Sequence, residues 1–144
     1  MSDEWREVIA EWQGDLGFRG ENLSGGRIQM GTVNGEPGVS PMELLLLGVA
    51  GCTGMDIASL MPKMRQKMTD LKITVRGKRA SDHPRMFTAI EIVYELWGDD
   101  LNPKMVEDAI QLSEYKYCSA SAMLSKAAEI HSRYILHSVQ EFIA

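Results

Sequence analysis

Strands, one long apolar helix, two more strands, two helices and a final strand: this order predicts an α+β fold, with helices segregated against antiparallel sheet rather than wound between parallel strands. Three observations carry it. Ser40-Pro41-Met42-Glu43 is a capping box with proline at the first helical position. Ile90, Ile92, Tyr94 and Leu96 alternate with polar or smaller residues along one strand face. Asn102-Pro103 supplies an N-cap and a first-turn proline for a second helix.

Taken in order, the stretches from Trp5 to Trp12 and from Arg27 to Val33 read as strands of a meander, punctuated by Ser24-Gly25-Gly26 and Asn34-Gly35. The helix opened at Ser40 continues through Cys52, Asp56 and Leu60 to Pro62, whose ring should kink or end it before Lys63 to Lys67. Leu71 to Arg79 and Met86 to Trp97 read as half-buried strands joined through Ser81-Asp82-His83-Pro84. Met105, Val106, Ala109, Ile110 and Leu112 have helical spacing. A third helix is expected from Tyr117-Cys118-Ser119 through Ala128, and a strand near Tyr134 to Val139. Trp5, Trp12 and Trp97 read as packing residues. At 144 residues the chain has the length of one domain. Its expected parts are N-terminal strands over 1–39, a central helix over about 41–67, and a strand-helix-helix-strand region over 70–140.

Composition narrows the function. A net charge of -5 and a pI near 5.2 leave no basic stripe for phosphate, so nucleic acid is not the expected partner, and neither is a membrane surface. The stretch from Met1 to Ala10 carries Asp3, Glu4 and Glu7 and does not read as a secretory leader, so a cytoplasmic location is expected. The longest apolar run, Leu44 to Cys52, is short of the roughly 20 residues of a membrane span and reads as buried helix. No GxGxxG or P-loop anchors a nucleotide.

Chemistry points to the two cysteines, since a structural disulfide is improbable in a cytosolic chain. Cys52 lies among Gly48, Val49, Ala50 and Gly51. Two helical glycines each cost about 1 kcal/mol relative to alanine, which suggests close approach by another backbone or a ligand. Cys118 stands at an expected helix start, where unpaired N–H groups favour a thiolate. Taken alone, Cys118 looks the more reactive, although it reads as readily as an ordinary N-cap-region residue beside Ser119; Cys52 reads first as a small buried hydrophobe, and the residues do not rank the two. The spacing offers no metal site: Met55 stands where CxxC would place a second thiol, and His83, His131 and His137 form no ligand pair. Ser119 and Ser121 lack a GxSxG elbow.

The block from Ser40 through Cys52-Thr53, with Met55-Asp56-Ile57 after it, resembles the signature helix of the OsmC/Ohr family of peroxide-reducing proteins. The block Leu112-Ser113-Glu114-Tyr115-Lys116-Tyr117-Cys118-Ser119-Ala120-Ser121 resembles that family's second cysteine motif. The resemblance covers roughly residues 40 to 140. It implies an intertwined homodimer, with antiparallel sheets packed around two long central helices and each site assembled from both chains. It also implies that Cys52 attacks the distal peroxide oxygen and becomes a sulfenic acid, which Cys118 captures as a disulfide. No bound cofactor is expected; an external dithiol, of lipoyl type in this family, restores the thiols.

A thiolate needs a nearby cation. The family supplies an arginine from the N-terminal strands, held by a glutamate at the position occupied here by Met42. Arg19, with Arg27 behind it, is the candidate cation, and Glu43, one residue along, the candidate carboxylate. The function expected is reduction of organic hydroperoxides to alcohols in defence against oxidative stress. The alternative is a non-enzymatic module that holds a hydrophobic or electrophilic small molecule in a dimer pocket lined by some of the ten methionines.

Overall fold

The structure, a computed structural model, describes residues 4–139, so the first three residues of the stretch read for a leader lie outside it. The chain forms an α+β fold of two compact units that meet in sequence at Leu44 and Leu45. The first holds an antiparallel meander of β1 (Val8–Trp12), β2 (Phe18–Asn22) and β3 (Arg27–Met30). Its second turn is set locally: Asn22 Oδ1 accepts from the backbone N–H groups of Ser24 at 3.0 Å and Gly26 at 2.8 Å, while Gly25 supplies φ +95°. Trp5 and Trp12 do not pack into this unit as expected. They are exposed, because a single three-stranded layer has too little apolar cover to bury an indole.

The helix α1 (Pro41–Lys63) begins with the reciprocal bonds of a capping box: Glu43 N–H donates to Ser40 Oγ at 3.1 Å, and Ser40 N–H donates to Glu43 Oε1 at 2.8 Å. It ends at Lys63, since the chain turns at Arg65 with φ 59°. By length and composition α1 is apolar enough to cross a membrane, a test that the core helix of a folded domain also passes. Val49, Thr53, Ile57 and Met61 form its buried side. Gly48 and Gly51 face open space, with no atom of another element among the described residues within 4 Å of where a Cβ would stand; the tight glycine of the helix is Gly54, whose Cβ would lie 3.1 Å from Ile73 Cδ1.

In the second unit β4 (Asp70–Arg79) pairs antiparallel with β5 (Phe87–Trp97), and β6 (Glu129–His137) pairs parallel with β5. Ile90, Ile92, Tyr94 and Leu96 are all buried on one face of β5, the central strand. The crossover over residues 98–128 returns the chain to the starting end of β5, so β6 must run parallel to it. That crossover contains α2 (Pro103–Leu112), whose N-cap Asn102 accepts from Lys104 N–H at 2.9 Å and Met105 N–H at 3.4 Å. A π-helical turn (Ser113–Tyr117) follows, then α3 (Ser119–Leu124). Thus α3 is shorter than the alanine spacing suggests and β6 starts earlier. Pairing of Glu129 opposite Ala89 claims the chain for the sheet, and tertiary pairing overrides helix propensity.

Candidate active site

Cys52 lies near the middle of α1, on the side flanked by buried Val49 and Thr53. Cys118 closes the π-helical turn and opens α3. Its N–H donates to Ser113 O at 2.7 Å, a bond five residues back, and its extended backbone lets Sγ turn over the start of the helix. There Ser121 N–H donates to Cys118 Sγ at 3.3 Å. Both cysteines are free thiols; Cys118 is only 2% exposed, and Cys52 is half-buried.

The two sulfurs, far apart in sequence, are neighbours. Burial pushes the Cys118 thiol above its ordinary value, the Ser121 hydroxyl and N–H pull it down, and the adjoining Cys52 thiol pushes it up again. Desolvation disfavours any thiolate, whereas donors aimed at the sulfur favour it. In the structure Ser121 Oγ is buried without a hydrogen-bond partner among the described residues, so its rotatable proton is available to a Cys118 thiolate.

Two carboxylates fasten the segment that carries Cys118. Asp56, one helical turn beyond Cys52 on α1, accepts from fully buried Ser113 Oγ at 2.9 Å. Glu114 Oε1 accepts from the phenol of Tyr94 on β5 at 2.8 Å. Burial first, then the Glu114 charge, push the Tyr94 phenol far above its ordinary value, so it remains a donor. The Thr53 hydroxyl interacts with the same phenol and donates to Val49 O at 3.0 Å. The sequence alone does not single out Asp56, Thr53, Tyr94, Ser113 or Glu114 as members of a site. The signal it offers is a lone acid inside an apolar helix, four residues after a cysteine, and a second acid four residues before the other cysteine.

The structure brings Cys52 and Cys118 together in the second unit. Arg19 and Glu43 belong to the first. On β2, Arg19 Nε lies 3.1 Å from Glu21 Oε1 and its Nη2 lies 3.6 Å from Glu11 Oε1; Arg27 Nε shares Glu21 Oε1 at 3.2 Å. Glu43 is engaged in the capping box.

The chain is thus an α+β protein with two adjoining thiols, Cys52 from a long apolar helix and Cys118 from the start of a short one. Comparison with known proteins shows that it belongs to the OsmC-like protein family, whose model matches residues 33–133. It is 37% identical over 128 residues to Protein YhfA of Escherichia coli (strain K12), covering 89% of this chain and 96% of that one. It is also similar to a hypothetical protein from Aquifex aeolicus VF5 known from its crystal structure, with TM-score 0.85 and 33% identity over 94% of this chain and 98% of the other. The organic hydroperoxide resistance protein OhrB of Bacillus subtilis shares the fold at TM-score 0.65 and 16% identity, over 93% of this chain and 100% of that one.

Proposed function

We propose that this OsmC-like protein reduces organic hydroperoxides through Cys52 and Cys118. The observation that carries the reading is the adjacency of the two thiols, which gives a sulfenic acid on one an immediate partner in the other. Cys52, the more exposed thiol, attacks the distal peroxide oxygen as a thiolate; the O–O bond breaks and the alcohol leaves with a proton. Cys118 then attacks the sulfenic sulfur, forming the disulfide and releasing water. Two thiols of an external dithiol, of lipoyl type under this reading, return the pair to the reduced state.

A homodimer is part of the proposal. Leu47, Gly48, Gly51, Met55 and Ala58 leave an exposed, largely apolar strip on α1, with Met55 76% exposed, and a helix apolar on both sides calls for a second covering surface. The roles of Arg19 and Glu43 as activating cation and its carboxylate rest on the family resemblance. Their observed contacts are an ion pair within the sheet and a helix cap.

The test is stopped-flow oxidation of the reduced protein by cumene hydroperoxide and by hydrogen peroxide, with mass spectrometry of the products. Selective, fast reaction with the organic peroxide, ending in a Cys52–Cys118 disulfide, lost in Cys52→Ser and halted at sulfenic acid in Cys118→Ser, is the expected result. Oxidation no faster than that of a free thiol refutes the enzyme reading and favours a small-molecule binding module.

A further inference from the structure

Cys118 is delivered by an irregular segment. A π-helical turn contains a wider backbone loop than an α-helix and recurs where a side chain must be re-aimed. Here its first two residues each carry a hydrogen bond to a different element. Ser113 binds Asp56 of α1 at 2.9 Å, and Glu114 binds Tyr94 of β5 at 2.8 Å. The turn's own closing bond, Cys118 N–H to Ser113 O at 2.7 Å, then links the pinned residue directly to the cysteine backbone. Cys52 and Asp56 are four residues apart on α1, hence neighbours on one face of that helix. The same helix face therefore presents one sulfur and the anchor of the segment bearing the other.

We propose that Asp56 and Glu114 are positioning residues for the sulfur pair: through Ser113 and Tyr94 they hold the π-helical turn at the place where Cys52 and Cys118 can form a disulfide. This rests on the two-thiol reading above but does not require a peroxide. Neither carboxylate touches the reacting atoms. Their contribution is to the effective concentration of one thiol at the other, which falls steeply when reacting atoms are displaced.

Equilibration with oxidised and reduced dithiothreitol isolates this property. The protein S–S bond forms as the ring S–S bond of the oxidant breaks, and the two thiol protons pass to the released dithiol. In the full-length protein, Asp56→Ala and Glu114→Ala should each lower the equilibrium constant for the protein disulfide about tenfold or more, the scale of one lost hydrogen bond to a charged group. Asp56→Asn and Glu114→Gln keep an acceptor oxygen for Ser113 and Tyr94, and should restore the constant towards that of the parent. Ser113→Ala and Tyr94→Phe remove the donors without vacating the core, and should reproduce the loss if an alanine variant does not fold.

Folded donor variants whose disulfide constant equals the parent's would overturn the proposal, as would a parent that forms no disulfide in this exchange. A parent that forms the disulfide readily yet ignores hydroperoxides would leave the positioning role standing and sink the peroxidase reading instead.

Discussion

The backbone N–H of Ser121 donates to Cys118 Sγ at 3.3 Å, so the buried thiol is also the N-cap of α3. Two opposing influences meet at that sulfur. Burial is the larger and keeps it protonated; the cap and the Ser121 hydroxyl favour the thiolate. The acidity of Cys118 is therefore set by elements that also hold the fold.

A pH dependence follows with a definite sign. The folded Cys118 pKa is raised, whereas the unfolded thiol titrates near its ordinary value of about 8.5. Its contribution to stability is fully present below about pH 8.5 and is lost as pH rises through the higher folded value, because the native state then holds the extra proton. Urea melts of the reduced protein from pH 7 to 10 should show a decline that is shallower in Cys118→Ala. Equal slopes in the two proteins would contradict the assignment.

Asn102 accepts from two backbone N–H groups at the start of α2, upstream of the π-helical turn. Asn102→Ala should cost about 1 kcal/mol of unfolding free energy, the usual worth of an N-cap, and Asn102→Ser far less. Denaturant titration of the two variants decides the point, and equal losses would count against a capping role.

Gly77 on β4 has no room for a side chain: a Cβ there would meet Cδ1 and Cε1 of buried Phe87 at 2.6 Å. Gly77→Ala should destabilise the protein by about 1–3 kcal/mol through overpacking, and a second change, Phe87→Leu, should recover part of the loss. Thermal melts of the single and double variants provide the measurement.

The exposed apolar strip of α1 predicts an association that depends on it. Met55→Asp, at a position 76% exposed in the isolated chain, should shift sedimentation from dimer to monomer. A dimer unchanged by Met55→Asp and by Leu47→Asp would mean that the strip is not the interface.

Much of this arrangement is legible in the residues because it is local. The Ser40–Glu43 box, the Asn102-Pro103 cap and the alternation along β5 each state a short-range preference, and the structure places α1, α2 and β5 accordingly. What is not legible depends on partners distant in sequence. The π-helical turn forms where Ser113 and Glu114 meet Asp56 and Tyr94, and no local pattern announces an extra residue in a helical turn. Likewise the end of α3 is decided by β6 pairing with β5, not by its alanines. Within the chain the close approach to the sheet falls at Gly54, since glycine content alone does not tell which helix face meets the sheet. The cysteines are visible as residues; the scaffold between them is not.

The parallel pairing of β5 with β6 also bears on synthesis. The segment carrying Cys118 is anchored in the sheet at both ends only after Glu129 and the residues beyond it have emerged from the ribosome and aligned with Ala89 onward. Until then the crossover is tied to the sheet at one end only, through β5. Pairing of β6 fastens its other end, and with it the segment that sets Cys118 beside Cys52.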